Sequence, residues 1–135
     1  MNIILVFILG AMGGIARFAV GEGMVATLAV NLIGAFCLGG LNGFVEFHAV
    51  RPWIHDGLSA GFLGSFTTFS SFAEDAVHLM GNHPWLSGIY ILGTIVGGIS
   101  LAYLGRRISG SLYTSASRSI QRRRALHQTK TQRTL

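Results

Sequence analysis

The chain has 135 residues, of which 50% are hydrophobic, 19 are glycine and only 11% are charged. A soluble domain carries roughly 25% charged residues, so this composition excludes a disordered chain and points to a small, single-domain membrane protein. One cysteine, Cys37, excludes an intramolecular disulfide framework and a cysteine-based metal cluster.

Four apolar stretches follow one another. The first covers 2–16 and continues through 18–20 past Arg17; the second covers 24–45, with Asn31 and Asn42 as its strongly polar residues. The third runs over 57–80 and the fourth over 85–105. Each approaches or exceeds the roughly 20 residues that cross a ~30 Å hydrocarbon core. Short connectors separate them at 21–23, 46–56 and 81–84, and Trp53 and Trp85 fall at the predicted membrane boundaries. The first stretch lacks a basic leader and is followed by three more, so it reads as a span and not a cleaved signal. The expected fold is an all-α membrane protein with four transmembrane helices in 1–105.

The charge divides between this body and the tail, 106–135. The body holds Arg17 and Arg51 against Glu22, Glu46, Asp56, Glu74 and Asp75, whereas all the other basic residues lie in the tail, with Arg122, Arg123 and Arg124 at its centre. The tail reads as a solvated, partly disordered segment attracted to anionic lipid headgroups. Its one aromatic residue, Tyr113, offers no stacking platform, so a nucleic-acid partner is not expected.

The third stretch is the informative one. Residues 61–72 read Gly-Phe-Leu-Gly-Ser-Phe-Thr-Thr-Phe-Ser-Ser-Phe. Glycine weakens a helix by about 1 kcal/mol against alanine, and Ser and Thr hydroxyls compete for its backbone bonds. The spacing therefore predicts an unwound turn over Gly64–Thr68, the third helix being broken at mid-membrane. Unpaired backbone at that depth survives only inside protein or beside an ion-filled cavity. An ion site is one reading and close helix packing on small residues is the other.

The phenylalanines favour the ion site. Phe66, Phe69 and Phe72 recur every three residues, which puts Phe69 and Phe72 on one helical face among hydroxyls such as Thr68 and Ser71. Aromatic rings present a positive edge that suits a small anion. Asn31 in the second stretch is either an interhelical bond or an N–H donor to that anion. Tyr90 and Thr94, spaced i, i+4, either extend a polar stripe or make ordinary interhelical bonds.

With these residues in view, the sequence resembles the Fluc/CrcB family of fluoride channels. The resemblance rests on Gly13-Gly14-Ile15-Ala16-Arg17-Phe18, on Val30-Asn31-Leu32-Ile33-Gly34, and on 61–72 as quoted above. It covers 1–105 and leaves out the tail. It implies an antiparallel dimer, made with a second copy or a close relative, enclosing two fluoride pores. Gly64 and Thr67 would offer main-chain oxygens to a central structural Na⁺. Phe69 and Phe72 would line the pore, Asn31 would donate beside them, and Tyr90 and Thr94 would supply the fourth-helix polar track. Arg17 would be a vestibule charge. The family commonly has Glu three residues after its second pore Phe; here that position is Asp75, with Glu74 beside it.

The implied function is passive export of cytoplasmic fluoride, with no organic cofactor and no enzymatic chemistry. Arg17 and Arg51 fall on opposite sides of the bilayer, so the body is balanced for either orientation. The tail tips this balance: positive residues near a span favour the cytoplasm, which predicts a multi-pass protein of the bacterial plasma membrane with a cytoplasmic tail. Two other classes compete. A proton-coupled multidrug transporter needs an intramembrane carboxylate, whereas the carboxylates here fall at span ends and loops. A non-transporting scaffold built on His48, His55, His78 and His83 is disfavoured because their spacing matches no helical ligand pair.

Overall fold

The structure, a computed structural model, describes residues 2–48 and 50–132, with side chains up to Ser111 except that of Phe47. The described residues are helical, without strands. They form α1 (Ile3–Val20), α2 (Met24–Phe47), α3 (Pro52–Asp56), a π-helix (Gly57–Leu63), α4 (Gly64–Phe66), α5 (Phe69–Asn82) and α6 (Pro84–Gln132). Three segments are long and apolar enough to cross a membrane: Ile3–Val20, Met24–Glu46 and Pro84–Ser111. The third apolar stretch, 57–80, is shared among the shorter elements between α2 and α6. From Leu112 onward, the expectation for the tail concerns side chains outside the described part.

Local chemistry sets the boundaries. Gly21 and Gly23 both adopt φ +99°, a region that side chains avoid, and they fold the α1–α2 turn with Glu22 between them. Pro52 and Pro84 stand at the first positions of α3 and α6, where a missing N–H costs no helical bond. Thr68 caps α5: its Oγ1 accepts from the Ser71 N–H at 3.2 Å, which satisfies one of the first-turn donors.

Packing then follows the small residues. α2 lies chiefly on α6, and α1 lies on the π-helix. A methyl group at Gly39 would strike the Ala102 carbonyl and one at Gly105 the Phe36 carbonyl, so these two backbones touch. The π-helix meets α1 in the same way: Gly57 faces Leu5 and Leu9, Gly61 faces Val6, and Gly13 faces the Phe62 carbonyl. Hydroxyls fasten the remaining contacts. Ser87 is wholly buried and donates to the Ala76 carbonyl at 2.7 Å, joining α6 to α5, while Ser109 donates to the Gly40 carbonyl at 2.8 Å.

The apolar core of this chain is small. Among the described residues, Val30, Leu63 and Ala76 are the buried hydrophobic ones, while Phe7, Phe18, Val25 and many others remain open. So much exposed apolar surface is incompatible with water and identifies a protein that resides in a membrane.

Candidate functional site

The helical run that begins at Pro52 ends at Phe66. Thr67 (φ −80°, ψ 162°) and Thr68 (φ −144°, ψ 120°) are extended, and α5 resumes at Phe69. The interruption is shorter and later than Gly64–Thr68. Gly64 is itself helical (φ −63°, ψ −30°), and it is Gly57 and Gly61 that face α1.

Asn31 holds the interruption from α2. Its Nδ2–H donates to the Thr68 carbonyl at 2.9 Å, and its Oδ1 accepts from the Thr68 N–H at 2.8 Å. The amide thus pairs with Thr68 as another peptide group would. Gly34, one turn further along α2, makes room for the Thr67 methyl group. The sequence motif containing Asn31 and Gly34 therefore belongs physically to the break.

The carbonyls of Gly64 and Thr67 are among those affected. In a continuous helix, the Gly64 oxygen would accept from the Thr68 N–H and the Thr67 oxygen from the Ser71 N–H, four residues on. The first of these donors is engaged by Asn31 and the second by Thr68 Oγ1. The Thr67 N–H and hydroxyl both donate to the Leu63 carbonyl, each at 3.0 Å.

A hydroxyl cluster continues from the break. Thr68 Oγ1 lies 3.1 Å from Ser71 Oγ and 3.3 Å from Ser70 Oγ. The Phe69 and Phe72 rings are neighbours, with centroids 6.0 Å apart, and Phe72 lies 5.4 Å from Tyr90 on α6. Tyr90 donates its O–H to Asp75 Oδ2 at 3.3 Å. Phe69 is 79% exposed, whereas Phe72 is half-buried between α5 and α6.

Above this cluster opens a cavity of about 550 Å³. Arg17, Thr27, Thr68, Ser71, Glu74 and Asp75 are among its walls. Hydrogen bonds join Asn31, Thr68 and Ser71, a ring contact and a hydrogen bond join Phe72, Tyr90 and Asp75, and Thr68, Ser71 and Asp75 share the cavity wall with Arg17; Phe69 touches this group through the Phe72 ring. Thr94 lies one turn along α6, where its hydroxyl donates to the Tyr90 carbonyl at 2.7 Å; it does not join the group. Sequence reasoning missed Thr27, which is 5% exposed and lines the cavity. The signal was present, since Thr27 precedes Asn31 by four residues and shares its helical face.

Comparison with known proteins covers most of the chain. The family described as CrcB-like protein, Camphor Resistance (CrcB), matches residues 4–106. A protein of Listeria monocytogenes serotype 4b (strain F2365) named Fluoride-specific ion channel FluC 2 is 38% identical over 120 residues, covering 83% of this chain and 93% of its own. The Fluoride-specific ion channel FluC 2 of Bacillus subtilis (strain 168) is 36% identical over 115 residues, 78% of this chain and 88% of its own. The Fluoride-specific ion channel FluC 1 of Staphylococcus aureus (strain bovine RF122 / ET3-1) is 32% identical over 120 residues, 83% and 99% respectively. The three stretches that carry the resemblance lie within the matched region, so the chain belongs to the CrcB family.

Proposed function

We propose that the protein is a fluoride-selective channel through which cytoplasmic fluoride leaves by passive electrodiffusion. The observation that carries this reading is the break at Thr67–Thr68, where an amide, a hydroxyl cluster and two phenylalanine rings meet. Its relatives bear fluoride-channel names. Fluoride is small and strongly hydrated, so a selective path must replace its water with weak donors that also release it. Asn31 retains a second Nδ2–H beyond the one given to Thr68, the Thr68 and Ser71 hydroxyls can reorient, and Phe69 and Phe72 offer ring edges. Tyr90 and Thr94 extend the path along α6, with Arg17 attracting the anion at one end and Asp75 standing at the mouth.

In this reading the segment Pro52–Asn82 is the third of four spans, two half-helices of together roughly 40 Å interrupted within the bilayer. The functional unit is an antiparallel dimer, with a second copy or a close relative covering the open Phe69 face. A structural Na⁺ fits the main-chain oxygens of Gly64 and Thr67, because carbonyl oxygens suit a hard cation and both have lost their regular helical donors to Asn31 and Thr68. When bound, the cation supplies a positive potential that offsets part of the desolvation of the anion. The body, 1–105, forms the channel domain in the plasma membrane, and the basic tail lies on the cytoplasmic side near anionic headgroups.

The test is fluoride efflux from liposomes carrying the purified full chain, with chloride as the control anion. Fluoride release well above protein-free vesicles, without matching chloride release, is expected. Release no faster than from empty vesicles refutes the reading.

A further inference from the structure

We propose that Glu22 and Glu74 are rate-setting residues, whose charges hold back fluoride as it passes from the cavity to the Thr68–Ser71 cluster. This rests on the fluoride-channel reading above and concerns residues that it does not use. The cavity has two kinds of wall. One kind suits an anion: Arg17 projects from α1, with no ion pair among the described residues, and Thr27 has no hydrogen-bond partner for its hydroxyl there although 95% of its surface is covered. The other kind opposes an anion: Glu22 from the α1–α2 turn, and Glu74 and Asp75 from α5.

Three carboxylates against one guanidinium leave the cavity with a formal charge of −2 at neutral pH. Asp75 is accounted for by the O–H of Tyr90. Glu22 and Glu74 are exposed and make no salt bridge among the described residues, so no neighbouring cation cancels them. The α1–α2 turn that carries Glu22 is fixed by two glycines at φ +99°, and Glu74 follows Phe72 by two residues on α5. Neither side chain supports the fold through a hydrogen bond. Their shared property is negative charge beside the route of an anion.

A unit charge roughly 8 Å from an ion in water changes its local concentration about twofold. Glu22→Gln and Glu74→Gln are each expected to speed fluoride efflux by about that factor, and the double variant by about fourfold. Such an effect is screened: the Debye length is about 30 Å at 0.01 M salt and about 3 Å at 1 M. The experiment measures fluoride efflux from neutral phosphatidylcholine vesicles carrying the full chain, in potassium gluconate at these two strengths. Gains at the low strength that vanish at the high one, with Glu74→Asp keeping the native rate, support the proposal. Glutamine variants that match the native rate at low salt, gains that persist at about 1 M, or Glu74→Asp behaving as Glu74→Gln overturn it. A native chain that releases no fluoride fails the channel reading itself, which the comparison with empty vesicles detects separately.

Discussion

The α2–α6 contact and the break at Thr67–Thr68 solve the problem of burying backbone in a membrane in opposite ways. Between α2 and α6, glycines bring two intact helices together until Gly39 meets Ala102 and Gly105 meets Phe36. The helical backbones stay continuous, and the contact relies chiefly on close packing, with the Ser109 hydroxyl donating across it to the Gly40 carbonyl. At Thr67–Thr68 the helix gives up its own bonding: the Leu63 carbonyl keeps its regular donor, the Thr67 N–H, while Asn31 and Thr68 Oγ1 take over the displaced N–H groups of Thr68 and Ser71. The first region holds the protein together, and the second displays polar groups next to aromatic rings. On the proposed function, stability and transport fall to different residues, and substitutions can separate them.

The largest effect is expected at the packed region. Gly39→Leu forces a side chain into the Ala102 backbone, and overpacking of this kind costs about 1–3 kcal/mol or more. Loss of the folded species in size-exclusion chromatography and thermal unfolding is expected; an unaltered profile breaks the assignment of this contact to stability. Next come Phe69→Ile and Phe72→Ile, which preserve bulk but remove the ring edge. Fluoride efflux is expected to fall tenfold or more, equivalent to about 1.4 kcal/mol of barrier, with the unfolding temperature nearly unchanged. Unchanged efflux would remove these rings from the path.

Asn31→Ala joins the two regions in one substitution. It strips both partners from the Thr68 peptide, and each unsatisfied buried group costs about 1–3 kcal/mol. Flux and thermal stability should therefore fall together; a variant losing flux alone would confine Asn31 to the anion. The smallest effect belongs to Arg106→Gln. The Arg106 guanidinium meets Glu46 at 2.9 Å, but both side chains are largely exposed, and such pairs contribute about 0–1 kcal/mol. Neither unfolding nor efflux should change measurably.

The two regions differed in how much the sequence disclosed. Gly39, Gly40 and Gly43 are small residues that suit close helix packing, yet their partners on α6 carry no comparable local signal. Gly97 and Gly98 face the side chains of Leu32 and Ala35, whereas backbone contacts with α2 are made by Ala102, Gly105 and Arg106. Which face of a helix meets a neighbour depends on the crossing geometry, which a run of small residues does not encode. At the break, the run of Gly, Ser and Thr gave the expected stretch 64–68, of which Thr67 and Thr68 are extended. Gly64 is helical, and the π-helix over Gly57–Leu63 arises from the fit of Gly57 and Gly61 against α1, a long-range effect without a local signature. Asn31 was visible as a polar residue in an apolar run, although its partner, the Thr68 backbone, was not. Thr27 shares the helical face of Asn31 four residues on, but only the cavity beside it distinguishes it from any other helical threonine.

The clasp between Asn31 and Thr68 also bears on gating. An amide side chain offers a donor and an acceptor at peptide-like spacing, so the bent strand finds in α2 what a neighbouring turn would otherwise provide. Straightening it would leave the Thr68 peptide and the Asn31 amide without each other, and an unmet buried polar group is disfavoured. On the proposed function, the bend is thus a resting shape and not an excursion, and no trigger is needed to form it.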